Sequence, residues 1–153
     1  MTQKCGLCGK GKLRKTKTEE RRPVAGHVFV ATLPALACDA CGENTIELAD
    51  LERFELAIAQ TLLESGESSG DAFRFSRKAL GISGAGLAAE LGVAPETLSR
   101  WETGRHRIEP AALGLLAVLV REAAAGSTST LDMLRARREG ARLAPRVALE
   151  LAS

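Results

Sequence analysis

The sequence predicts an α+β fold in two domains, an N-terminal β-hairpin domain followed by an all-α C-terminal bundle. Three observations support this prediction. The four cysteines of the 153-residue chain fall into two Cys-x-x-Cys pairs near the N-terminus. Residues 24–36 are rich in Val, Phe, Thr and Leu, which favour strands. From residue 71 onward, short apolar segments alternate with Gly, Ser and Pro, which is typical of short helices.

The two cysteine pairs predict a metal site. Cys5 and Cys8 form one pair, Cys38 and Cys41 form the other, and a glycine follows each pair. Two such knuckles bring four thiolates to one point, which is the tetrahedral sulfur shell that Zn²⁺ prefers. We therefore predict one zinc ion bound by these four cysteines. The ion is structural, because four sulfurs leave no open position for a substrate. Two disulfides or four free thiols are the alternative interpretations.

The segment between the cysteine pairs predicts a β-hairpin. Cys8 and Cys38 are separated by 29 residues, with Pro23 and Gly26 as turn signals. The predicted unit is a zinc ribbon, in which the metal contributes most of the folding energy because the core is small. His27 also lies in this segment and is predicted to be a strand residue, since the cysteines already complete the zinc shell.

Composition narrows the classes of function. The formal net charge is +2 and no segment is strongly basic, so DNA binding would depend on locally placed groups. No apolar run is long enough to span a membrane and no signal peptide is recognisable, so we expect a cytoplasmic protein. We expect no enzymatic activity, because no catalytic arrangement is visible and the only histidines are His27 and His106.

A helix is predicted between the ribbon and the second half of the chain, over residues 48–64. Its apolar residues recur at helical spacing, at Leu48, Leu51, Phe54, Ile58 and Leu62. The other face carries three acidic residues, Glu47, Glu55 and Glu64. That face is either solvated or a docking surface for a basic partner. Residues 65–71 are rich in Ser and Gly, as flexible linkers are. We therefore place the first domain at residues 1–64 and the linker at 65–71.

The second domain, residues 72–125, is predicted to be a bundle of short helices. Asp71 and Ser83 are the predicted N-caps of the first two helices. Pro95 and Pro110 stand where the next two begin, because proline is favoured at the first helical position. The predicted helices cover residues 72–80, 84–91, 95–102 and 110–124.

The second and third of these helices predict a helix-turn-helix, because only residues 92–94 join them. Leu98 and Trp101 share the inward face of the third helix. The outward face carries Glu96, Thr97 and Arg100. A helix in the major groove presents such a face to the bases, where Arg100 would bind guanine and Glu96 would accept from cytosine. The alternative interpretation is that Arg100 is an ordinary surface arginine, and only the surrounding helix-turn-helix pattern favours a contact with DNA.

Residues 87–93 (LAAELGV) and 98–104 (LSRWETG) closely resemble the Cro/lambda-repressor-like (XRE) helix-turn-helix family, and the resemblance covers about residues 72–124. By this similarity Arg77 and Glu102 form a pair that bridges the first and third helices, and Trp101 belongs to the core. The similarity also implies a set of DNA-contacting residues, with the last two on phosphates: Pro95, Glu96, Thr97, Arg100, Arg105 and Arg107. Many members carry glutamine where this chain has Gly84, so that contact is made by the backbone alone or is absent.

The ribbon, helix, linker and helix-turn-helix together resemble the MqsA-type (YgiT-type) antitoxins over about residues 1–124. The matching elements are Cys5 and Cys8, residues 34–38 and residues 75–104. The resemblance implies a homodimer that represses its own operon, and the two-fold symmetry of such a dimer predicts a palindromic site in double-stranded DNA. It also implies that the zinc domain neutralises a ribonuclease toxin. Members typically carry asparagine in place of Glu96, which implies a different operator sequence or a different regulator on the same plan.

Residues 126–153 lie outside the resemblance. Leu131, Leu134 and Arg138 indicate a short helix. A basic cluster comprises Arg135, Arg137, Arg138 and Arg142. This segment is either a solvated tail or an arm that contacts phosphates or a toxin.

The sequence therefore predicts a dimeric, sequence-specific transcriptional repressor that acts as the antitoxin of a type II toxin–antitoxin pair. The helix over residues 110–124 supports a dimer, because its apolar residues cover more than one face and need a second burial surface. The alternative is a zinc- or redox-responsive helix-turn-helix regulator with no toxin partner.

Overall fold

The computed structural model describes residues 3–140 and 142–151, and in this part of the chain it confirms the predicted α+β fold. A three-stranded antiparallel sheet precedes six helices. The strands are β1 (Leu13–Val24), β2 (His27–Cys38) and β3 (Asn44–Thr45). The helices are α1 (Leu48–Glu64), α2 (Gly70–Ala79), α3 (Gly84–Leu91), α4 (Pro95–Glu102), α5 (Pro110–Ala124) and α6 (Ser129–Glu139). None of the described helices is both long enough and apolar enough to cross a bilayer.

The hairpin is regular along its whole length. β1 and β2 pair without a break from Leu13 and Cys38 at one end to Val24 and His27 at the other. Side chains alternate between the two faces of such a ribbon. Phe29, Ala31 and Leu33 therefore share one face of β2, and they pack against the core that α1 completes. Residues 28 and 30 lie on the opposite face and are exposed.

Helix α1 is buried on two sides. Phe54, Ile58 and Leu62 pack with the hairpin and with Ala72 of α2. Ala59, on another side of the helix, is fully buried in the core of the helical bundle. The predicted helix over residues 48–64 is confirmed with the same boundaries. One helix thus completes the core of both the hairpin and the bundle.

The bundle core holds α4 in place. Leu98 and Trp101 are buried with Leu87 and Leu116, as predicted for the inward face of this helix. Trp101 packs edge to face against Phe73, with ring centroids 5.9 Å apart. Each such side chain contributes about 1.5–3 kcal/mol by leaving water. Trp101 is therefore a core residue, as the resemblance implied.

A buried ion pair joins α2 to α4. The Arg77 guanidinium donates to both carboxylate oxygens of Glu102, at 2.5 and 3.2 Å, and to the carbonyl of Ile82 at 2.8 Å. The two side chains are only 10% and 12% exposed. The pair that the resemblance implied is thus confirmed, and its role is to fix α4 against the first helix of the bundle.

The N-cap of α2 differs from the prediction. Ser69, not Asp71, caps the helix, because its hydroxyl accepts from the N–H of Ala72 at 3.2 Å and its backbone is extended. Asp71 lies inside the first turn. Ser83 caps α3 as predicted, accepting from the N–H of Gly86. The chain between α1 and α2 is therefore short, and the division into domains stays a prediction.

The C-terminal helix α6 confirms the short helix expected near residues 131–138. Leu131 packs against the bundle core. The carboxylate of Glu122, on α5, accepts from the Ser129 hydroxyl and from both the hydroxyl and the N–H of Thr130. The hydrogen bonds from Thr130, followed by that from Ser129, lower the pKa of Glu122. Glu122 thus caps the beginning of α6 from the neighbouring helix.

Replacing Glu102 by glutamine is expected to lower the free energy of unfolding by about 3 kcal/mol, because it leaves the buried Arg77 charge without its partner. Urea denaturation followed by circular dichroism measures the change. Glu19→Gln is the control. It breaks an ion pair between two exposed side chains, Arg21 (70% exposed) and Glu19 (51% exposed). The control variant should lower the free energy of unfolding by about 1 kcal/mol or less. Equal losses in the two variants would contradict a structural role for the pair.

Candidate metal centre and nucleic-acid interface

The four cysteines meet at one end of the hairpin. Cys5 and Cys8 precede β1, Cys38 ends β2, and Cys41 follows it. Their sulfur atoms all lie within 4.8 Å of one another. The hairpin causes this meeting, because its register pairs Leu13, just after the first knuckle, with Cys38 of the second.

The distances between the sulfur atoms fit zinc. The Sγ atoms of Cys5 and Cys41 are 3.9 Å apart, and those of Cys8 and Cys38 are 3.7 Å apart. A tetrahedral ion with Zn–S bonds of about 2.3 Å needs sulfurs about 3.8 Å apart. A disulfide would need about 2.05 Å, so the alternative of two disulfides does not fit. The cluster therefore forms a closed site for one zinc ion.

The two knuckles have the same backbone geometry. In each, the glycine after the second cysteine donates its N–H to the carbonyl of the first, at 2.9 Å for Gly9 and 3.0 Å for Gly42. These glycines have φ values of 66° and 73°, which residues with a Cβ rarely adopt. The sequence thus places glycine where each knuckle turns around the metal.

Two of the four thiols have shifted pKa values, in opposite directions. Backbone N–H groups of Gly11 and Lys10 stabilise the thiolate of Cys8 and lower its pKa to about 6. For Cys41 the N–H of Glu43 also lowers the pKa, but Cys38, burial and the remaining thiols outweigh it and raise the pKa to about 12. Four neighbouring thiolates repel one another, and a bound Zn²⁺ would supply the missing positive charge.

Gly11 supports the centre and was not singled out from the sequence. It is buried, and its N–H points at Cys8 Sγ, 3.4 Å away. A Cβ at this position would lie 2.2 Å from Cys38 Sγ and 2.9 Å from the Ala40 Cβ. The chain thus needs glycine here for close packing against the sulfur. The only signal in the sequence was the third glycine of the run around the first knuckle.

His27 lies far from the metal centre. It begins β2, whereas Cys38 ends it, and a 12-residue strand is roughly 36 Å long. Its Nε2 is 4.0 Å from the carboxylate of Glu67, in the connection after α1. His27 is therefore a strand residue, as the sequence predicted.

The second candidate site is the outer face of α4. The residues predicted to contact bases lie in its first two turns, and Glu96 and Arg100 are exposed while Thr97 is half-buried. The N–H groups of Arg105 and His106 both donate to the carbonyl of Arg100, at 2.9 and 3.2 Å. This loop thus turns back against the end of α4. Arg107 is also exposed in the loop, beside these residues.

The acidic face of α1 is partly neutralised by the chain itself. Glu55 forms an ion pair with Arg22 of the hairpin at 3.3 Å. Glu64 pairs with Arg121 of α5 at 3.0 Å, and hydrogen bonds from Gln60 and Arg121 lower its pKa. Of the three acids predicted to form this face, only Glu47 is free of an ion pair among the described residues. These contacts disfavour the face as a docking surface for a basic partner.

Comparisons with known proteins give one result that covers most of the chain. The profile of a family described as "Antitoxin component of bacterial toxin-antitoxin system, MqsA" matches residues 3–124. The match includes all four cysteines and the helices α1 to α5. It ends before α6. Comparison with curated proteins found no match.

Replacing Gly11 by alanine is expected to weaken zinc binding 10- to 100-fold, on the order seen when groups that support metal ligands are changed. The added Cβ would displace the sulfur of Cys38, which lies 2.2 Å from its position. Competition with a chromophoric chelator measures the affinity, and the wild-type chain should bind one zinc ion. Gly6→Ala is the matched control, because no atom lies within 4 Å of its added Cβ. Equal affinities in the two variants would contradict the prediction.

Proposed function

The chain belongs to the MqsA antitoxin family, and on this premise we propose that it is a non-enzymatic repressor that binds DNA and neutralises a toxin. As a dimer it would bind a palindromic operator in its own promoter and repress transcription. Its toxin partner would be a ribonuclease. The observation that carries the DNA-binding part is the exposed face of α4, which is held rigidly by Arg77 and Glu102 and flanked by a basic loop.

The proposed DNA contacts follow from the chemistry of that face. Arg100 would bind guanine O6 and N7, and Glu96 would accept from cytosine N4. Thr97 and Pro95 lie in the first turn of α4, where residues of a recognition helix approach the groove. Arg105 and Arg107 would contact phosphates, which position the helix without carrying sequence information.

The proposed dimer would use α5. Leu116 and Val120 of this helix are fully buried within the chain. Ala111, Gly114 and Val118 lie on its exposed side at helical spacing, and Val118 is 41% exposed. Small and apolar residues on one helix face allow a close approach of a second copy. A two-fold axis there would match a palindromic operator with half-sites one helical turn apart, about 34 Å.

The proposed toxin partner would bind the zinc ribbon. Val28 and Val30 are 64% and 52% exposed on the outer face of the hairpin. These two valines of β2, together with a strand edge that β3 covers only at residues 36 and 37, offer an apolar and hydrogen-bonding surface. The acidic face of α1 is less suitable for binding a toxin, because Glu55 and Glu64 already form ion pairs within the chain.

The alternative function is a zinc- or redox-responsive regulator without a toxin. The exposed Cys41 favours it, because an exposed thiol ligand is accessible to oxidants. The position of the metal centre argues against a zinc- or redox-responsive regulator, because the four cysteines lie at the end of the hairpin that is farthest from α2. Loss of the metal there would have to act on α4 through the hairpin and α1.

Arg100→Ala is expected to lower affinity for the operator by about 1–3 kcal/mol and to relax the preference for one base pair in each half-site. Gel-shift titration and footprinting on the DNA upstream of the gene measure both effects. Arg53→Ala is the control, since Arg53 is 79% exposed on α1. Protection of a single unsymmetrical site, or equal affinity of both variants for all sequences, would contradict the proposal.

Chelation of zinc in the full-length chain is expected to leave operator affinity within about threefold of the untreated value, because no cysteine contributes to the core that holds α4. It should abolish co-purification with the product of the neighbouring toxin gene, since the hairpin loses its clamp. Gel shifts and pull-downs with and without chelator measure the two activities. Loss of operator binding together with the metal would favour the zinc-responsive regulator instead.

A further inference from the structure

We propose that residues 142–151, the C-terminal arm, bind the DNA backbone beside α4, with Arg142 and Arg146 as the phosphate-binding groups. This inference rests on the proposed DNA-binding function and adds a second contact region to it. The arm follows α6 and lies outside the residues that match the family. Its support comes from how α6 is attached to the helix-turn-helix.

The beginning of α6 is firmly attached to the bundle. Leu131 enters the bundle core from α6. The Glu122 carboxylate receives three hydrogen bonds from Ser129 and Thr130, at 2.7 to 3.1 Å. These contacts fix both the position and the direction of the helix. The chain that leaves its other end therefore starts from a defined place.

The last turns of α6 are attached to α3, the first helix of the helix-turn-helix. Arg135 Nε and Arg138 Nη1 lie 3.5 and 3.4 Å from the same carboxylate oxygen of Glu90. The Glu90 side chain is only 4% exposed, and its other oxygen is buried without a hydrogen bond. A buried carboxylate needs opposite charge nearby, and these two arginines supply it. Arg135 and Arg138 therefore pair with Glu90 and are not free to bind a ligand.

This attachment places the end of α6, from which the arm starts, near the turn of the helix-turn-helix. Glu90 lies two residues before the turn at 92–94 that leads into α4. Arg142 follows Arg138 by four residues, so an extended chain puts it at most about 14 Å away along the backbone. Arg146 can reach about twice as far. Both arginines can thus reach the turn that leads into the recognition helix.

The chemistry of the arm suits phosphates. Arg142 and Arg146 are exposed, and neither takes part in an ion pair with any described residue. Guanidinium groups bind phosphate oxygens through paired hydrogen bonds. The single acid among residues 142–151, Glu150, lies near the far end. Of the basic cluster seen in the sequence, Arg135 and Arg138 anchor α6, whereas Arg142 is free, and Arg146 adds a second free arginine to the arm.

The double variant Arg142→Gln/Arg146→Gln of the full-length chain tests the proposal by gel-shift titration at several salt concentrations. Operator affinity should fall on the order of tenfold near 0.1 M salt, and the slope of log K against log salt should become shallower by about 0.9 for each lost phosphate contact. The preferred base sequence should stay the same. Thermal unfolding should not change, because neither arginine packs against the bundle.

The matched control is Arg21→Gln/Arg53→Gln, which removes the same charge from side chains that are 70% and 79% exposed on the hairpin and α1. Its affinity and salt slope should equal those of the wild type. If the wild type prefers its operator but the arm variant keeps the same affinity and slope, the arm proposal is overturned. The same holds if both double variants lose affinity equally, since net charge would then explain the loss. A wild type without operator preference would overturn the proposed function as well.

Discussion

The structure depends on α1 being buried on two sides at once. A two-stranded hairpin is at best marginally stable alone, and this one packs only one of its faces against a core. Phe54, Ile58 and Leu62 cover that face, while Ala59 completes the core of the bundle. The ribbon and the helix-turn-helix therefore share a helix, and each stabilises the position of the other. Zinc adds its contribution at the end of the hairpin that carries the four cysteines.

Charge is distributed so that most ion pairs fix one element to another. Arg77 and Glu102 join α2 to α4, Arg121 and Glu64 join α5 to α1, and Glu90 joins α3 to α6. The first of these pairs is buried on both sides, and Glu90 is buried while its arginines are half-exposed, so removing a partner at either place costs more than breaking the exposed pair of Arg121 and Glu64. Among the described residues, five arginines without an ion pair lie on α4, on the loop after it and on the C-terminal arm, and two more, Arg74 and Arg137, lie on α2 and α6. A net charge of +2 thus conceals an exposed basic group around α4, made of Arg100, Arg105 and Arg107.

Much of this architecture could be predicted from sequence because strong local rules act on single residues. Cysteine spacing fixed the metal ligands, and the boundaries of α1 and α4 followed from apolar periodicity and from Pro95. The cap of α2 could not be predicted in the same way, since Ser69 and Asp71 are both good capping residues and the local pattern does not show that the helix begins after the earlier one. Local pattern gives the type of an element more reliably than its first residue.

Contacts between distant residues were the part that sequence could not supply. Nothing near Gly11 in sequence indicates that Cys38 Sγ will occupy the space of its missing Cβ, since the two residues meet only when the hairpin forms. The acidic face of α1 looked free because its partners, Arg22 and Arg121, lie far away in the chain. The periodicity of a helix shows which residues share a face, but it does not show which charges meet that face.

The relation between Glu90 and α6 shows why the segment beyond the family match belongs to the fold. Glu90 lies on α3, within the matched residues, yet its carboxylate is buried by a helix outside them. A chain that ended after α5 would leave this carboxylate in water, where it would need no partner. With α6 present, the acid is covered and requires Arg135 and Arg138, because an unpaired buried charge is strongly destabilising. The acid and the arginines are thus interdependent, and a change to one without the others would cost stability. A tail that only diffused in solvent would create no such requirement.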